Sequence, residues 1–338
     1  MSESTPIAGW RNDPAWPDVD VVMPVRNEAD HLARAMTSIR AQNYPGRVRV
    51  FVAVAPSADD TARIAAEFGD DVTVVPNPAG VTPAGLNAAI RAGASPVVVR
   101  VDGHSRLSEG YIRRAVATLR RTDAGNVGGM QVPEPETRFE AAVAAATTSW
   151  LGTGGATYRL GGEEGPTDTV YLGVFDRTAL QAAGLFDERL IRNQDYELNI
   201  RLRASGHEVW FDPELAVGYR PRGTWRSLAR QYYEYGYWKS VVLRMHPQSV
   251  RVRQIVPPVG LGVAAVLAAA VIRRPRWAIA PAAGLCALIG AAAKTARASA
   301  APTFSVVLVT ALVPTAWALG SVHAALTHAT AWRTQPPR

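Results

Sequence analysis

The sequence predicts an α/β domain, in which helices cover both faces of a mostly parallel sheet, followed by a C-terminal α-helical membrane region. Two observations lead to this prediction. Strand-like and helix-like segments alternate over roughly the first 220 residues, which is typical of such a sheet. Three apolar runs without a Lys, Arg, Asp or Glu residue follow, each near the length that a membrane-spanning helix needs.

The alternation is defined by the spacing of apolar residues. An apolar strand at 19–25 precedes a helix at 28–42, in which Leu32, Met36 and Ile39 fall on one side. The cycle then repeats, with strands at 48–55, 72–76 and 96–102 and helices at 59–69 and 83–93.

Polar segments follow three of the predicted strands. In sheets of this kind, ligands bind beyond the carboxyl ends of the strands. We therefore expect one edge of the sheet to carry the segments 24–28, 56–59 and 102–104.

The net charge of +7 is concentrated in one segment. Between Arg220 and Arg253, eight Lys or Arg residues stand against a single acid, Glu234, which accounts for the whole excess. Aromatic residues are interleaved with them, and 224–245 has the pattern of an amphipathic helix that lies among lipid headgroups. A basic aromatic segment also suits nucleic acid, but the apolar runs that follow favour a membrane and no nucleic-acid partner.

The apolar runs predict about three membrane helices, at 255–272, 277–293 and 303–326. They indicate a multi-pass protein of the cytoplasmic membrane. The arginine-rich link after the first run would lie outside, against the positive-inside tendency, and a shallow hairpin of the first two runs would remove this conflict. Buried helices of a soluble domain are the alternative.

The N-terminal segment has no basic stretch followed by an apolar one. We therefore expect no cleaved secretion signal and an α/β domain that faces the cytoplasm. The predicted organisation is an N-terminal extension at 1–17, this α/β domain at 18–222, a basic aromatic interfacial segment at 223–253 and a membrane region at 254–338.

Three stretches carry a family resemblance: VVMPVRNEADHLARAMTSIRAQNYPG (21–46), VVVRVDGHS (97–105) and GLFDERLIRNQDYELNIRLRASGHEVWFDPELAV (184–217). Over roughly residues 18–245 the chain resembles family 2 glycosyltransferases. The Asp-x-His form, the Gly128-Gly129 turn, the GTGGATYR loop and the C-terminal membrane region are similar to the succinoglycan-biosynthesis type. The resemblance implies a GT-A fold, which is Rossmann-like, a nucleotide-sugar donor, and inversion at the anomeric carbon.

The strand VVVRVDGHS resembles the one that ends in the metal motif of this family. The resemblance implies that Asp102 and His104 bind a divalent metal, Mn²⁺ or Mg²⁺. A cation on hard oxygen ligands offsets the charge that develops on a leaving diphosphate, and a histidine ligand shifts the preference toward Mn²⁺. His104 could instead contact the pyrophosphate or face solvent, and Asp102 could cap the turn that follows it.

A carboxylate must take the proton of the attacking acceptor hydroxyl. Asp195, at the start of a predicted helix, is the candidate base. The family usually has Glu-Asp here, and Gln194 replaces the Glu in this chain. Asp195 could also act only on the helix dipole, and Glu197, a weaker candidate, could pair with Arg201 at i+4.

The resemblance places the donor against the strand ends, with UDP as the commonest nucleotide in the resembling group. The family usually carries an aspartate at the end of the second strand, where this chain has Val54 and Ala55. The predicted nucleotide-sugar contacts are Pro24, Arg26, Asn27, Glu28, Ser57, Asp59, Asn87, Arg100 and Asp102.

Residues 231–239, QYYEYGYWK, occupy the place of the Gln-x-x-Arg-Trp region of polymerising synthases, but Arg-Trp is absent, which disfavours processive synthesis. Trp238 could stack on a sugar and Lys239 could meet a phosphate, or both could anchor the chain to the membrane. The predicted acceptor or phosphate contacts are Gln194, Gln231, Trp238 and Lys239.

We therefore predict a membrane-anchored, metal-dependent, inverting hexosyltransferase. It would move a sugar from a UDP-sugar to a polyprenyl-linked acceptor during synthesis of an envelope or extracellular polysaccharide. One alternative is a polyprenyl-phosphate sugar synthase, whose phosphate acceptor needs little help from a base. Another is a catalytically silent membrane scaffold that binds nucleotide, suggested by the missing donor aspartate and by Gln194.

Overall fold

The computed structural model describes residues 9–69, 71–153, 155–274, 279–299 and 301–327. The chain forms two compact units. The first comprises the residues up to Val132 together with Gly161–Tyr219, and the second comprises Pro133–Leu160 together with the chain from Arg220 onward. This division differs from the predicted boundary at 222, because an internal segment groups with the C-terminal helices.

The first unit is built on one sheet. Its described strands are β1 (Val19–Val25), β2 (Val48–Val54), β3 (Val72–Pro76), β4 (Val97–Arg100), β5 (Ser105–Leu107), β6 (Asn126–Pro133), β7 (Gly165–Pro166), β8 (Tyr171–Asp176) and β9 (Val209–Tyr219). Their order is β3-β2-β1-β4-β8-β6-β9-β5, with β7 beside β9. Strands β1 to β4 pair in parallel, as predicted, and β8 continues the sheet antiparallel to β4.

Helices alternate with the strands of the parallel half. In chain order the described helices are α1 (Leu32–Arg40), α2 (Thr61–Ala66), α3 (Thr82–Ala92), α4 (Tyr111–Thr122), α5 (Arg138–Thr147), α6 (Trp150–Thr153), α7 (Thr157–Leu160), α8 (Arg177–Ala182), α9 (Gln194–Ala204), α10 (Trp225–Met245), α11 (Val252–Arg273), α12 (Ile279–Ser299) and α13 (Thr303–Thr327). The predicted α/β class is confirmed.

The core explains why β1 and β4 are almost uninterrupted apolar runs. All four residues of β4 are buried, and in β1 only Pro24 is partly exposed. Strands that are covered on both faces have no polar side to present to water. On α1, the predicted apolar side is buried, with Leu32, Met36 and Ile39 each at most 3% exposed.

Charged residues tie β1 to its surroundings at the amino ends of the parallel strands. Asp20 is fully buried, and its Oδ2 accepts a hydrogen bond from Nη2 of Arg177 at 2.7 Å. Its Oδ1 accepts from Nε of Arg49 at 3.0 Å and from Oγ of Ser95 at 2.6 Å. A buried carboxylate with this many donors is compensated for the loss of water, so we assign this cluster to stability.

The second unit packs α5 and α10 against the C-terminal helices. Alanines of α5 share a buried cluster with residues of α10, α12 and α13. Helices α10 and α13 are in backbone contact, because a side chain on Gly236 would overlap the carbonyl oxygen of Trp317, and one on Gly320 would overlap that of Tyr233. Oγ of Ser321 also donates to the carbonyl of Gly236 at 3.1 Å.

Arg220 joins the two stretches that make up this second unit. Its Nε donates to Oε1 of Glu140 at 2.8 Å, and its Nη1 lies 2.7 Å from Oε2 of Glu136. Glu140 is only 1% exposed and also completes the capping box of α5 with Thr137. The beginning of α5 is thereby fixed beside the segment that leads into α10.

Two helices in the described part of the chain are long and apolar enough to cross a membrane. They are α11, with a mean hydropathy of 2.4, and α13, with 1.8, and they match the predicted runs 255–272 and 303–326. The predicted run 277–293 lies partly outside the described residues, and its described part falls in α12. Length and composition alone define these candidates, since a buried helix of a soluble protein meets the same criteria.

Candidate active site

The loops after β1 and β2 are bonded to each other at the predicted edge. Asn27, at a φ of 53°, donates its N–H to Oγ of Ser57 at 3.1 Å and accepts from the N–H of Ala58 at 2.8 Å. Asp59 accepts from the N–H of Ala29 at 3.1 Å. The hydrogen bond from Thr61 to Asp59 lowers the pKa of that carboxyl group. These three predicted donor contacts therefore hold the two loops together.

Pro24 and Arg26 flank the last residue of β1. Pro24 is half-buried within the strand, whereas Arg26 is exposed just beyond it. Nη1 of Arg26 donates to the carbonyl of Gly80 at 3.4 Å. Arg26 is one of the predicted nucleotide-sugar contacts in the loop after β1, and its cationic group is exposed at the edge of the sheet.

Arg100, the last residue of β4, contacts two carboxylates. Its Nε and Nη2 donate to Oδ1 of Asp102 at 3.1 and 3.0 Å, and its Nη1 donates to Oδ1 of Asp195. Arg100 is only 4% exposed. Arg100, a predicted nucleotide-sugar contact, thus has a buried guanidinium that donates to two protein carboxylates.

Asp195 lies in the first turn of α9, whose preceding residue Asn193 has a left-handed φ of 61°. Burial raises the pKa of Asp195, and the neighbouring Asp102 raises it further, while Arg100 opposes both effects. Gln194, beside it, is buried. The result is a partly desolvated carboxylate whose affinity for a proton exceeds that of an ordinary aspartate.

Glu197 is excluded as a base by its partner. Its two carboxylate oxygens accept from Nε and Nη2 of Arg201 at 2.7 and 2.6 Å, and the glutamate is 1% exposed. This is the i+4 pair that the sequence offered as the alternative. Asp195 thus remains the accessible carboxylate of this helix turn.

Asn87, another predicted nucleotide-sugar contact, is buried and bonds the backbone of the segment that precedes α9. It is 2% exposed, and its amide donates to the carbonyl of Phe186 at 2.9 Å and accepts from the N–H of Phe186 at 3.0 Å. It also donates to Oε1 of Glu188 at 2.8 Å. The ring of Phe186, held in this way, lies 5.9 Å from the guanidinium carbon of Arg100. Phe186 was not predicted from the sequence, in which the available signal was the polar Asn87 on the apolar side of α3.

His104 and Glu28 meet above Gly103. Nδ1 of His104 lies 2.8 Å from Oε1 of Glu28. A side chain at position 103 would stand 2.9 Å from Val25 and 3.1 Å from Glu28, so the glycine permits this close approach. The exposed His104 and the half-buried Glu28 thus form a polar pair beside the turn that follows Asp102.

The carboxylates at this edge of the sheet offer few ligands for a divalent cation. The described residues contain no group of three or more His, Cys, Asp or Glu side chains arranged to hold a metal. Both bonds from Arg100 reach Oδ1 of Asp102, however, and the side chain of Asp102 is 20% exposed. Mg²⁺ and Mn²⁺ bind with one or two carboxylates and take their other ligands from phosphate and water. This edge fits such a cation with a diphosphate, and does not resemble an all-protein site.

The predicted contacts of the second unit all lie on α10. Thr224 caps this helix by accepting from the N–H of Ser227. Gln231 donates to the hydroxyl of Tyr235 at 3.0 Å, and the ring of Trp238 packs edge-on against that of Tyr237. The predicted helix at 224–245 is confirmed. The roles of Gln231, Trp238 and Lys239 stay predictions.

The sheet has the GT-A fold, and the family model that matches most of the chain makes the class of protein a glycosyltransferase. The chain belongs to the family described as Glycosyltransferase like family 2, whose model matches residues 17–278. It is 28% identical over 262 residues to the succinoglycan biosynthesis protein ExoA of Rhizobium meliloti, covering 76% of this chain and 78% of that protein. An uncharacterised glycosyltransferase of Mycobacterium tuberculosis is 32% identical over 208 residues, or 60% of this chain and 86% of that one. The resemblance to the family is confirmed.

Solved structures share the fold. The mannosyltransferase PcManGT of Pyrobaculum calidifontis, in complex with GDP-Man and Mn²⁺, superposes with a TM-score of 0.65 at 18% identity, over 91% of this chain and 88% of that one. Staphylococcus aureus TarS, in complex with UDP-GlcNAc, gives a TM-score of 0.52 at 14% identity, over 67% and 66%. At these identities the comparison establishes the GT-A fold alone.

Proposed function

We propose that this chain is an inverting, metal-dependent hexosyltransferase that moves a sugar from a nucleotide-sugar to a lipid-linked acceptor in polysaccharide or envelope glycan synthesis. The observation that carries the proposal is the placement of Asp102 and Asp195 around Arg100. One carboxylate follows the end of β4 and the other begins α9, so both lie where a parallel sheet binds ligands.

In the proposed reaction the acceptor oxygen attacks the anomeric carbon. The bond from that carbon to the diphosphate oxygen breaks, and its electron pair leaves with the diphosphate. Asp195 takes the proton of the acceptor hydroxyl, and its raised pKa suits it to this task. The displacement is a single step from the face opposite the leaving group, so the anomeric configuration inverts.

The donor side of the site is assigned to Asp102, with His104 beside it. A bound Mn²⁺ or Mg²⁺ supplies charge stabilisation to the departing diphosphate. Asp102 would hold this cation, and the exposed guanidinium of Arg26 would meet a phosphate. The Mn²⁺ and GDP-Man bound by PcManGT support this assignment, while UDP remains our first choice of nucleotide.

Membrane anchoring and the lipid-linked acceptor belong to the same proposal. Helices α11 and α13 would anchor the chain as a multi-pass protein of the cytoplasmic membrane. The basic residues at the start of α11, Arg251 at its N-cap and Arg253 in its first turn, favour a cytoplasmic catalytic domain. A Methanococcus voltae relative, 20% identical over 67% of this chain and 74% of its own length, is named as a glucuronosyltransferase for dolichyl N-acetyl-α-D-glucosaminyl phosphate. Trp238 and Lys239 on α10 would meet the lipid headgroup.

The proposal is tested with the full chain in detergent. The assay offers radiolabelled UDP- and GDP-sugars with Mn²⁺ and a polyprenyl lipid extract, and it follows transfer into the lipid phase. We expect Asp195→Asn to lower transfer by about 10²- to 10⁴-fold, because base catalysis contributes that much, while nucleotide binding persists. Asp123→Asn is the matched control, because Asp123 is an exposed residue with a φ of 55° that asparagine adopts readily.

Three results would contradict the proposal. Near-normal transfer by Asp195→Asn onto a lipid phosphate would identify a polyprenyl-phosphate sugar synthase. Nucleotide binding without hydrolysis or transfer across the whole panel would identify a scaffold. Full transfer in the presence of a chelator would remove the metal from the mechanism.

A further inference from the structure

We propose that Arg100 is a positioning residue that links the donor-side carboxylate Asp102 to the acceptor-side base Asp195. The inference rests on the proposed function and assigns to Arg100 a role other than binding the nucleotide-sugar. A guanidinium is a planar fork with several N–H donors. Here Nε and Nη2 reach Asp102, and Nη1 reaches Asp195. One side chain therefore fixes two groups that lie far apart in the sequence.

The burial of Arg100 distinguishes it from an arginine that is placed to bind phosphate. Arg100 is 4% exposed, whereas Arg26 on the same edge is exposed. A buried guanidinium is costly unless charged partners surround it, and Asp102 and Asp195 provide that compensation. A phosphate would have to displace one of them to reach it. Arg100 thus acts on substrates through the carboxylates that it holds.

A second layer of contacts fixes Arg100 itself. Phe186 lies 5.9 Å from its guanidinium carbon, and the backbone of Phe186 is bonded at both polar atoms to the buried Asn87. A flat cation beside an aromatic ring is favourable. Asn87 on α3 therefore positions the 186–188 loop, the ring of Phe186 in this loop lies beside Arg100, and Arg100 in turn holds both carboxylates.

The charges of these three residues make the two carboxylates depend on each other. One guanidinium is shared by two carboxylates, so each is only partly neutralised. A cation held by Asp102 would take over part of that carboxylate's charge, and Arg100 would then hold Asp195 more strongly.

The experiment compares binding and turnover in Arg100→Met and Arg100→Lys. Calorimetric titration with Mn²⁺ and UDP, and in parallel with Mn²⁺ and GDP, measures affinity. We expect affinity to be unchanged or a few-fold tighter, because a positive charge beside Asp102 is removed or displaced. We expect kcat for transfer to fall about 100-fold, because a misplaced base loses that much. Adding Asp195→Asn to Arg100→Met should cost little more, as for residues that act as one unit.

Arg177→Met and Arg49→Lys are the matched controls, because both arginines bind the buried Asp20 at the other end of the strands. They are expected to lower thermal stability but leave the affinity and kcat of the folded protein unchanged. A clear loss of nucleotide affinity in Arg100→Met would make Arg100 a donor contact and overturn the inference, as would an unchanged kcat. Failure of the wild type to bind any nucleotide would instead overturn the proposed function, and the inference with it.

Discussion

Nδ1 of His104 lies 2.8 Å from Oε1 of Glu28, across the glycine that follows Asp102. A histidine whose one ring nitrogen is held by a carboxylate is fixed in orientation, and any ligand then meets the other nitrogen. The pair thus joins the loop after β1 to the turn after β4 at the proposed donor site.

The pair predicts that Glu28 affects metal binding without touching the metal. Glu28→Gln should weaken Mn²⁺-dependent nucleotide binding by about tenfold, because partners of metal ligands contribute that much. His104→Ala should weaken it at least as far. The measurement is a titration of nucleotide at several Mn²⁺ concentrations. Equal affinities in both variants and the wild type would make His104 a residue of the surface turn only.

The shifted pKa of Asp195 predicts a pH dependence. Burial raises this pKa above the ordinary value of 3.8. A base works only when ionised, so kcat/KM should fall as the pH is lowered through the raised pKa, with the inflection above 3.8. The profile is measured at a Mn²⁺ concentration well below saturation, so that kcat/KM reports the protein without bound metal, and circular dichroism at each pH shows that the fold persists. A profile that stays flat down to the ordinary aspartate range would exclude Asp195 as the base.

The paired hydrogen bonds between Asn87 and the backbone of Phe186, here called the Asn87 clamp, predict that removing the Asn87 side chain lowers the stability of the protein. Asn87→Ala removes hydrogen bonds to both backbone atoms of Phe186 and leaves buried polar groups without partners, which should cost about 1–3 kcal/mol in the free energy of unfolding. Asn43→Ala, at an exposed position, should change it by less than about 0.5 kcal/mol. Chemical denaturation in detergent measures both. Equal stabilities for the two variants would show that the 186–188 loop does not depend on this clamp.

The backbone contact between α10 and α13 predicts that Gly236 tolerates no side chain. Gly236→Ala should lower the free energy of unfolding by about 1–3 kcal/mol, because the new methyl group overlaps the carbonyl of Trp317. Gly262→Ala on α11 is the control, because a methyl group there meets nothing within 4 Å. Thermal unfolding in detergent compares the two. If the Gly236→Ala protein were as stable as the control, α10 and α13 could move apart without a loss in the free energy of unfolding.

Much of the first unit could be predicted from the sequence alone. Uninterrupted valines identify β4 as a strand covered on both faces, and the polar residues after it identify a ligand-binding edge. The turn at Asp102 was expected from this pattern, whereas Asp195 was identified from the family resemblance and from its place at the start of a predicted helix. Their meeting at one arginine was not, because Arg100 has no sequence signature that distinguishes a phosphate contact from a buried ion-pair partner.

The remaining differences have the same physical origin. Asn87 is a polar residue whose partner, the backbone of Phe186, becomes its neighbour only after folding. The alanines of α5 resemble the apolar side of any amphipathic helix, so nothing in 138–147 shows that they pack against C-terminal helices. In each case the role of the residue depends on packing against parts of the chain that are distant in sequence, and the local spacing of residues does not predict that packing.

The chain passes between its two units three times, after Val132, after Leu160 and after Tyr219. A protein shortened at residue 222 would therefore keep α5 but lose α10, α12 and α13, the helices that cover its alanines. Its exposed apolar face would favour aggregation. Recombining the first unit of one relative with the second unit of another would likewise require α5 to be kept with α10, α12 and α13, because a single crossover near residue 222 separates helices that pack together.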